Sequence, residues 1–311
     1  MNDERGAVAV VVALVMVPMI AFAAVSLDVA GVLWERQQLQ TGADAGALAV
    51  AQDCGLGDCR TPAVTVQSLA TANSRSAGVT GTVLTPGLTP SSGSVTVETT
   101  TVARHLFAPL VGVDSTRVSA RATVGWGAPS GGTAVLPLAF SLCEFRAQTD
   151  SGLPTTTTER TIYFTKSSGT GCTGPSGNVV PGGFGWLTVN AGNCQTSSMI
   201  GQTLYSSTGN AVPNGCSVAN FQALVGTTVL LPLFDQASDE GSNASYRLHG
   251  YAAFHLTGYD FVGQYRWNAK NCKGSDHCVK GYFTRFVSLD EAFTYSATAP
   301  AFGAAVVSLT S

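Results

Sequence analysis

Ala7–Leu27 reads AVAVVVALVMVPMIAFAAVSL, and this charge-free run decides the architecture. As a helix it extends about 31 Å, against a bilayer hydrocarbon core of roughly 30 Å. The helix is not expected to stop there. Asp28, Glu35 and Arg36 bring charge, yet Gln37–Gln52 (QQLQTGADAGALAVAQ) contains no Pro and is rich in Ala, Leu and Gln, all good helix formers. The pattern predicts one continuous rod of about 45 residues, half in lipid and half outside it. Pro18 removes one backbone hydrogen bond in mid-span and predicts a kink that a membrane helix tolerates. Asp28 stands at the outer edge of the span. It either marks the interface where lipid ends or contacts a partner helix and aligns subunits.

The residues around this run form a recognisable set. Glu4-Arg5-Gly6-Ala7 opens it, Asp28-Val29-Ala30 follows with Leu33 and Arg36, and Leu39-Gln40 leads to Ala43-Asp44-Ala45-Gly46-Ala47-Leu48-Ala49. This segment resembles the N-terminal part of the TadE/TadG-like proteins of Flp (Tad) pilus assembly. The resemblance covers about the first 55 residues, and the remainder shares only the general layout. It implies other Tad pilus subunits or platform proteins as partners, and roles in adhesion to a host or environmental surface. The same family resemblance raises the subunit-contact reading of Asp28. Gly42 and Gly46 form a GxxxG, where small residues admit a close helix. Its partner is either the adjacent body or, in a TadE/TadG-like protein, another subunit.

Three fates are open to the N-terminus. It is a retained anchor, a secretory signal cut near Ala21-Phe22-Ala23, or a leader cut after Gly6. The signal reading conflicts with Asp3 and Glu4 in the n-region and with apolar residues beyond Ala23. The leader reading conflicts with Val11, where the class III leader pattern has Glu. The retained anchor is preferred, giving a single-pass protein of the cell membrane with its lipid contact through this helix.

The rest of the chain bounds the function. Of 311 residues only 11% are charged, Gly numbers 35, and the net charge is −3. No basic stripe exists, which argues against direct nucleic-acid binding. Eight cysteines all follow the apolar run, which points to disulfides in an oxidising compartment and an extracytoplasmic body at the cell surface. Small loops favour the pairs Cys54–Cys59, Cys143–Cys172, Cys194–Cys216 and Cys272–Cys278.

The expected fold is α+β in three parts: an anchor helix over 1–53, a small pilin-like α+β domain over 54–127, and a β-rich, disulfide-containing domain over 134–311. In the middle part Thr61-Pro62 starts a helix running to about Arg75. Strands follow at Val79–Thr85, Ser94–Val102 and Arg117–Trp126, with a short helix at Ala103–Val111. Ala128–Thr133 (APSGGT) reads as a linker. Beyond it, strands are expected at Ala134–Phe145, Arg160–Thr165, Phe184–Asn190, Thr227–Phe234, Tyr246–Leu256 and Tyr282–Leu289, with a helix over Ser217–Leu224. Leu-Pro-Leu recurs within Val135–Phe140 and Val229–Phe234, as pseudo-equivalent strands or as edge strands that tolerate Pro.

No nucleophile elbow, Walker loop, HExxH or GxGxxG occurs, so no catalytic residue, cofactor or metal is predicted and the chain is not read as an enzyme. The acidic run Asp235–Glu240 reads as a solvated loop before a cation site. Cys272–Cys278, with Asp276 and His277 between, reads as a closed disulfide loop before a zinc site that His249 or His255 would complete. Gly182–Leu187 reads as a core aromatic pair at a glycine turn before a binding loop, and alternation leaves open which aromatics of Tyr251–Trp267 face outward; the candidates for a partner surface are Trp186, Tyr259, Tyr265 and Trp267.

Overall fold

A computed structural model describes residues 4–164, 172–206, 208–209, 211–239, 241–261, 263–270, 272 and 277–310. The fold is α+β. Helix α1 (Glu4–Gly55) is unbroken and contains Pro18. Its first half stands free: every described large apolar side chain from Val8 to Leu27 is exposed. Its second half is gripped on one side. Ala43, Ala47, Val50, Ala51 and Cys54 are buried, at the three-to-four-residue spacing that lines one helical face.

That face meets α2 (Pro62–Ala72) and an antiparallel sheet whose near strands are β1 (Thr80–Val83), β2 (Gly93–Arg104) and β3 (Ser115–Ala134). On β3, Val118, Ala120, Ala122, Val124 and Trp126 alternate toward the helix, as a half-buried strand requires. Gly42 and Gly46 face α2. A Cβ on Gly42 would stand 3.3 Å from Ala70 Cα, and one on Gly46 would stand 3.5 Å from Val66 Cα. The small-residue face is therefore filled from within the chain, the first of the two partners its sequence left open.

After β3 the chain runs through β4 (Leu138–Ser141), α3 (Leu142–Thr149), β5 (Arg160–Tyr163), β6 (Phe184–Trp186), β7 (Thr196–Met199) and β8 (Thr203–Tyr205). Then follow α4 (Val218–Leu224), β9 (Thr228–Ser238), β10 (Ser245–Asp260), β11 (Arg266–Trp267) and β12 (Cys278–Thr284). The last strands are β13 (Phe286–Ser288), β14 (Phe293–Ser296) and β15 (Ala304–Leu309). A second sheet has the order β5-β12-β10-β9-β4-β6, with β8 and β11 also on β10. The first sheet continues β1-β2-β3-β15-β13, with β7 and β14 on the far half of β3.

Two apolar layers cover β10. Ala252, Phe254 and Leu256 face one, with Phe140, Phe184, Trp186 and Phe283. Tyr251 and Ala253 face the other, with Phe234, Phe293 and Val306. Burial pushes the Tyr251 phenol up to about 12, and its hydroxyl donates to the Ser198 carbonyl at 2.7 Å. Strand β15 joins the two halves. Val306 packs into the body core and Val307 into the helix core. Arg285 adds a clasp, donating to the carbonyls of Pro154 at 3.2 Å and Leu56 at 3.0 Å.

Several expectations change. Ala128–Thr133 is not a linker but ladder, paired with β14 and β7. Gly132 within it has a packing reason, because a Cβ there would collide with the Phe293 ring and the Ala292 carbonyl. Ala103–Val111 is mostly not helical: β2 runs to Arg104, and only a 3-10 turn forms at Ala108–Val111. Ala134–Phe145 is not one strand, since Ser141 caps α3 through the Cys143 N–H at 3.1 Å. Thr61 starts α2 without a side-chain cap, and the helix ends at Ala72. Of the Leu-Pro-Leu strands, β9 is interior, and Pro232 lies just before its β4-paired residues Leu233 and Phe234. Thr165 and Glu240 lie outside the described residues, as do Lys273–Asp276.

The helix–sheet contact makes a graded test. Gly46→Ala meets only ordinary contacts at 3.5 Å and beyond, and gains about 0.5–1 kcal/mol of helix propensity. Gly81→Ala would place its Cβ 2.8 Å from the Val66 carbonyl oxygen and is expected to cost about 1–3 kcal/mol. Thermal unfolding of the detergent-solubilised protein should rank the two in that order; equal midpoints would refute the close α1–α2–β1 packing.

Candidate functional site

The region with the most distinctive geometry is where α1 leaves its apolar run. Asp28 is buried at 8% exposure on a helix whose neighbours are exposed. Its Oδ1 accepts from the backbone N–H of Leu106 at 2.7 Å, and its Oδ2 from Ala108 at 2.7 Å. The Phe107 N–H lies 3.0 Å from Oδ2 and 3.3 Å from Oδ1. These three donors precede or open the 3-10 turn, and the first N–H groups of such a turn have no partner inside it. Asp28 thus serves as a cap supplied from another element. A charged acceptor makes each bond stronger than a neutral one.

Further polar links climb the helix from there. Ser76 donates to Glu35, and Arg75 N–H donates to Gln38 Oε1 at 3.0 Å. Thr99 Oγ1 donates to the Leu39 carbonyl at 2.8 Å, and Gln40 Nε2 donates to the Arg121 carbonyl at 3.0 Å. Trp34 stands 56% exposed just beyond Asp28, an amphipathic ring of the kind enriched at membrane–water interfaces. From Asp28 to Gln40 the rod is therefore pinned to the body, while below Asp28 it is bare.

The structure brings the assembly candidates Asp28, Gly42 and Gly46 onto one helix, each engaged within the chain. The aromatic candidates divide. Trp186 and Tyr259 are fully buried and cannot form a partner surface. They pack around Phe221, with ring centroids 6.0 and 5.6 Å away. Alternation along the strand failed to place Tyr259 because β10 is covered on both faces. Tyr265 is half-buried against the same ring at 5.7 Å, its hydroxyl donating to the Cys216 carbonyl at 3.1 Å. Trp267 alone of the four is exposed, at 47%, beside the Arg266–Asp260 pair at 2.7 Å.

All eight cysteines are paired: Cys54–Cys59, Cys143–Cys172, Cys194–Cys216 and Cys272–Cys278. The cysteines of the Cys272–Cys278 loop are thus committed to a disulfide. His255 stacks on Tyr282 at 5.0 Å, and His249 faces Asp235 at 3.8 Å with its pKa lowered, chiefly by burial. Among the described residues no three His, Cys, Asp or Glu side chains gather as a metal site. What the sequence did not single out is the Leu106–Val113 loop. The sequence reads Ala103–Val111 as a short helix, and only the Asp28 contact reveals where this stretch lies.

The Flp pilus-assembly TadE/G-like family model matches residues 6–53. That range is α1 from just before its apolar run to just short of the first disulfide. The match to the Tad pilus-assembly family thus falls on the long apolar N-terminal helix, in line with the resemblance over Glu4–Ala49. No curated protein and no solved structure matches the chain.

Two outcomes are expected. Asp28→Ala should leave the body folded but raise amide exchange at Leu106, Phe107 and Ala108 by about tenfold or more; unchanged protection would refute the cap. In the body, Lys280 is buried, with Nζ 3.0 Å from Glu159 Oε1. The Thr257 hydroxyl first, and then Lys280, hold the Glu159 carboxyl below its ordinary 4.5 against the cost of desolvation. A lowered carboxyl pKa stabilises the fold above the unfolded value, and that part is lost as pH falls through the folded one. Glu159→Gln should cost about 1–2 kcal/mol at pH 7, discounted because Glu159 is 40% exposed. It should also flatten the loss of stability below about pH 4.5. Denaturant titrations at neutral and acid pH check both, and parallel wild-type and variant curves would refute the pairing.

Proposed function

We propose that the chain is a membrane-anchored accessory component of Flp (Tad) pilus assembly, either minor pilin-like or pilus-associated. Its partners are other pilus subunits or platform proteins, and its body stands outside the cytoplasmic membrane, available for adhesion to a host or environmental surface. The carrying observation is that the family match over residues 6–53 falls on the one helix that is both bare enough for lipid and built into the body. Four disulfides support an oxidising compartment for the body. The role is assembly and contact through packing, not catalysis.

A second reading has one observation in its favour. The family match ends at residue 53, and the large β-rich body lies beyond it. A stand-alone anchored binding module for carbohydrate or protein would have such a body, with Trp267 as its exposed aromatic. Neighbouring genes for a pilus ATPase and an inner-membrane platform favour assembly; isolation of the gene favours the module.

A strain lacking the protein should show fewer or shorter pili, weaker surface attachment, and altered pilus-associated fractions. Piliation and attachment both at wild-type level would overturn the assembly reading. Intact mass of the membrane-extracted, non-reduced protein should also register four disulfides, and a fully reduced chain would overturn the extracytoplasmic placement.

A further inference from the structure

The β2–β3 loop presents apolar side chains that nothing in the body covers. Leu106 is 79% exposed and Leu110 is 87% exposed. Adjacent large exposed apolar groups mark a contact surface more often than chance solvent exposure. From Leu106 to Val113 the sequence has no charge, whereas Arg104, His105 and Asp114 flank it. The loop therefore repeats in miniature the pattern of the anchor: an apolar stretch with polar residues at each side.

Its position matters more than its composition. The Asp28 bonds hold it against α1 at the end of the charge-free run. Between loop and helix lies an open groove of about 450 Å³, lined by Ala21, Val25 and Leu33 from α1 and by Phe107 and Leu110 from the loop. Ala21 lies about 10 Å to the lipid side of Asp28 at 1.5 Å rise per residue. Leu110 thus stands beside helix residues that belong to the lipid-crossing run.

The loop's backbone is also prepared to leave water. In hydrocarbon a free N–H is costly, so backbone donors must be satisfied within the protein. The Leu106, Phe107 and Ala108 donors go to Asp28. Leu110 N–H donates to the Phe107 carbonyl, Gly112 to Pro109 and Val113 to Ala108, each at 3.1 Å. Pro109 has no N–H to satisfy.

We propose that Leu106–Val113 is a second membrane element, which enters the leaflet on the body's side beside α1, with a lipid acyl chain lying in the groove between Leu110 and Ala21–Val25. The inference rests on the reading of α1 as a membrane anchor. Lipid is the occupant because one wall of the groove is the anchor's own apolar surface and the groove opens along it. Asp28 then has a double role. It supplies the acceptors that let the loop exchange water for lipid, and it fixes the loop to the anchor at one depth.

The test uses the full-length protein with its disulfides intact, reconstituted in phosphatidylcholine–phosphatidylglycerol vesicles. An environment-sensitive fluorophore is attached at Leu110→Cys, at Val17→Cys in the span, and at Thr89→Cys in the exposed loop between β1 and β2. Nitroxides placed high or deep on the lipid chains, and aqueous iodide, serve as quenchers. The Leu110 probe should lose roughly half its emission to the shallow nitroxide and resist iodide. The Val17 probe should respond to the deep nitroxide, and the Thr89 probe to iodide alone. Adding Asp28→Ala should return the Leu110 probe toward iodide. If Val17 is quenched by lipid but Leu110 by iodide, the loop proposal fails and the anchor stands. If neither answers to lipid, the anchor reading falls and takes this inference with it. If Leu110 is shielded from both quenchers until the protein is diluted in lipid, a second copy fills the groove and the proposal is overturned.

Discussion

One carboxylate accepting from three consecutive backbone N–H groups fixes the register of this molecule. A long helix with a uniform apolar surface has no preferred depth or rotation relative to a folded body. Asp28 removes that freedom, because a charge at the end of the apolar run can be satisfied at only one height and on one side. The links at Glu35, Gln38, Leu39 and Gln40 then follow along the same face. Above them the Ala and Gly residues allow the sheet and α2 to come close. The same helix is therefore bare all round along its apolar run and then packed against a protein core on one side, as one continuous helix.

The lower half of that arrangement was legible in the sequence, since length, lack of charge and the ERGA…ADAGALA set all point one way. The alternating strands on β2 and β3 and the capped helix α4 were legible for the same reason: each carries its own periodicity. What was not legible depends on partners far away in sequence. Ala128–Thr133 resembles a linker by composition, yet Gly132 leaves no room for a Cβ because Phe293 crosses the strand there. Trp186 and Tyr259 stand between core and surface readings until α4 brings Phe221 against them. Period-two alternation identifies one buried face, and β10 has two.

The candidate site shows the same division. Asp28 stood out because a carboxylate at the edge of lipid needs an explanation. Gly42 and Gly46 stood out because their spacing admits a close neighbour. Neither pattern names that neighbour, and in both cases it is another part of the same chain. The loop that Asp28 binds was hidden because its sequence reads as part of a short helix, and the exposure of Leu106 and Leu110 is set by contacts distant in sequence.

Strand β15 has a further consequence for the order of assembly. Thr310 bonds to Thr123 across a separation of 187 residues, and Val307 completes the core under α1. Pairings so distant in sequence form late, because the closing loop must first be ordered. Helix α1 thus precedes the body in the chain, yet the body's grip on it is completed only after nearly everything between has been ordered. During that interval the alanine face of α1 has no sheet against it. Whatever shelters it then, whether lipid, a chaperone or a neighbouring helix, meets a surface that the mature protein no longer displays.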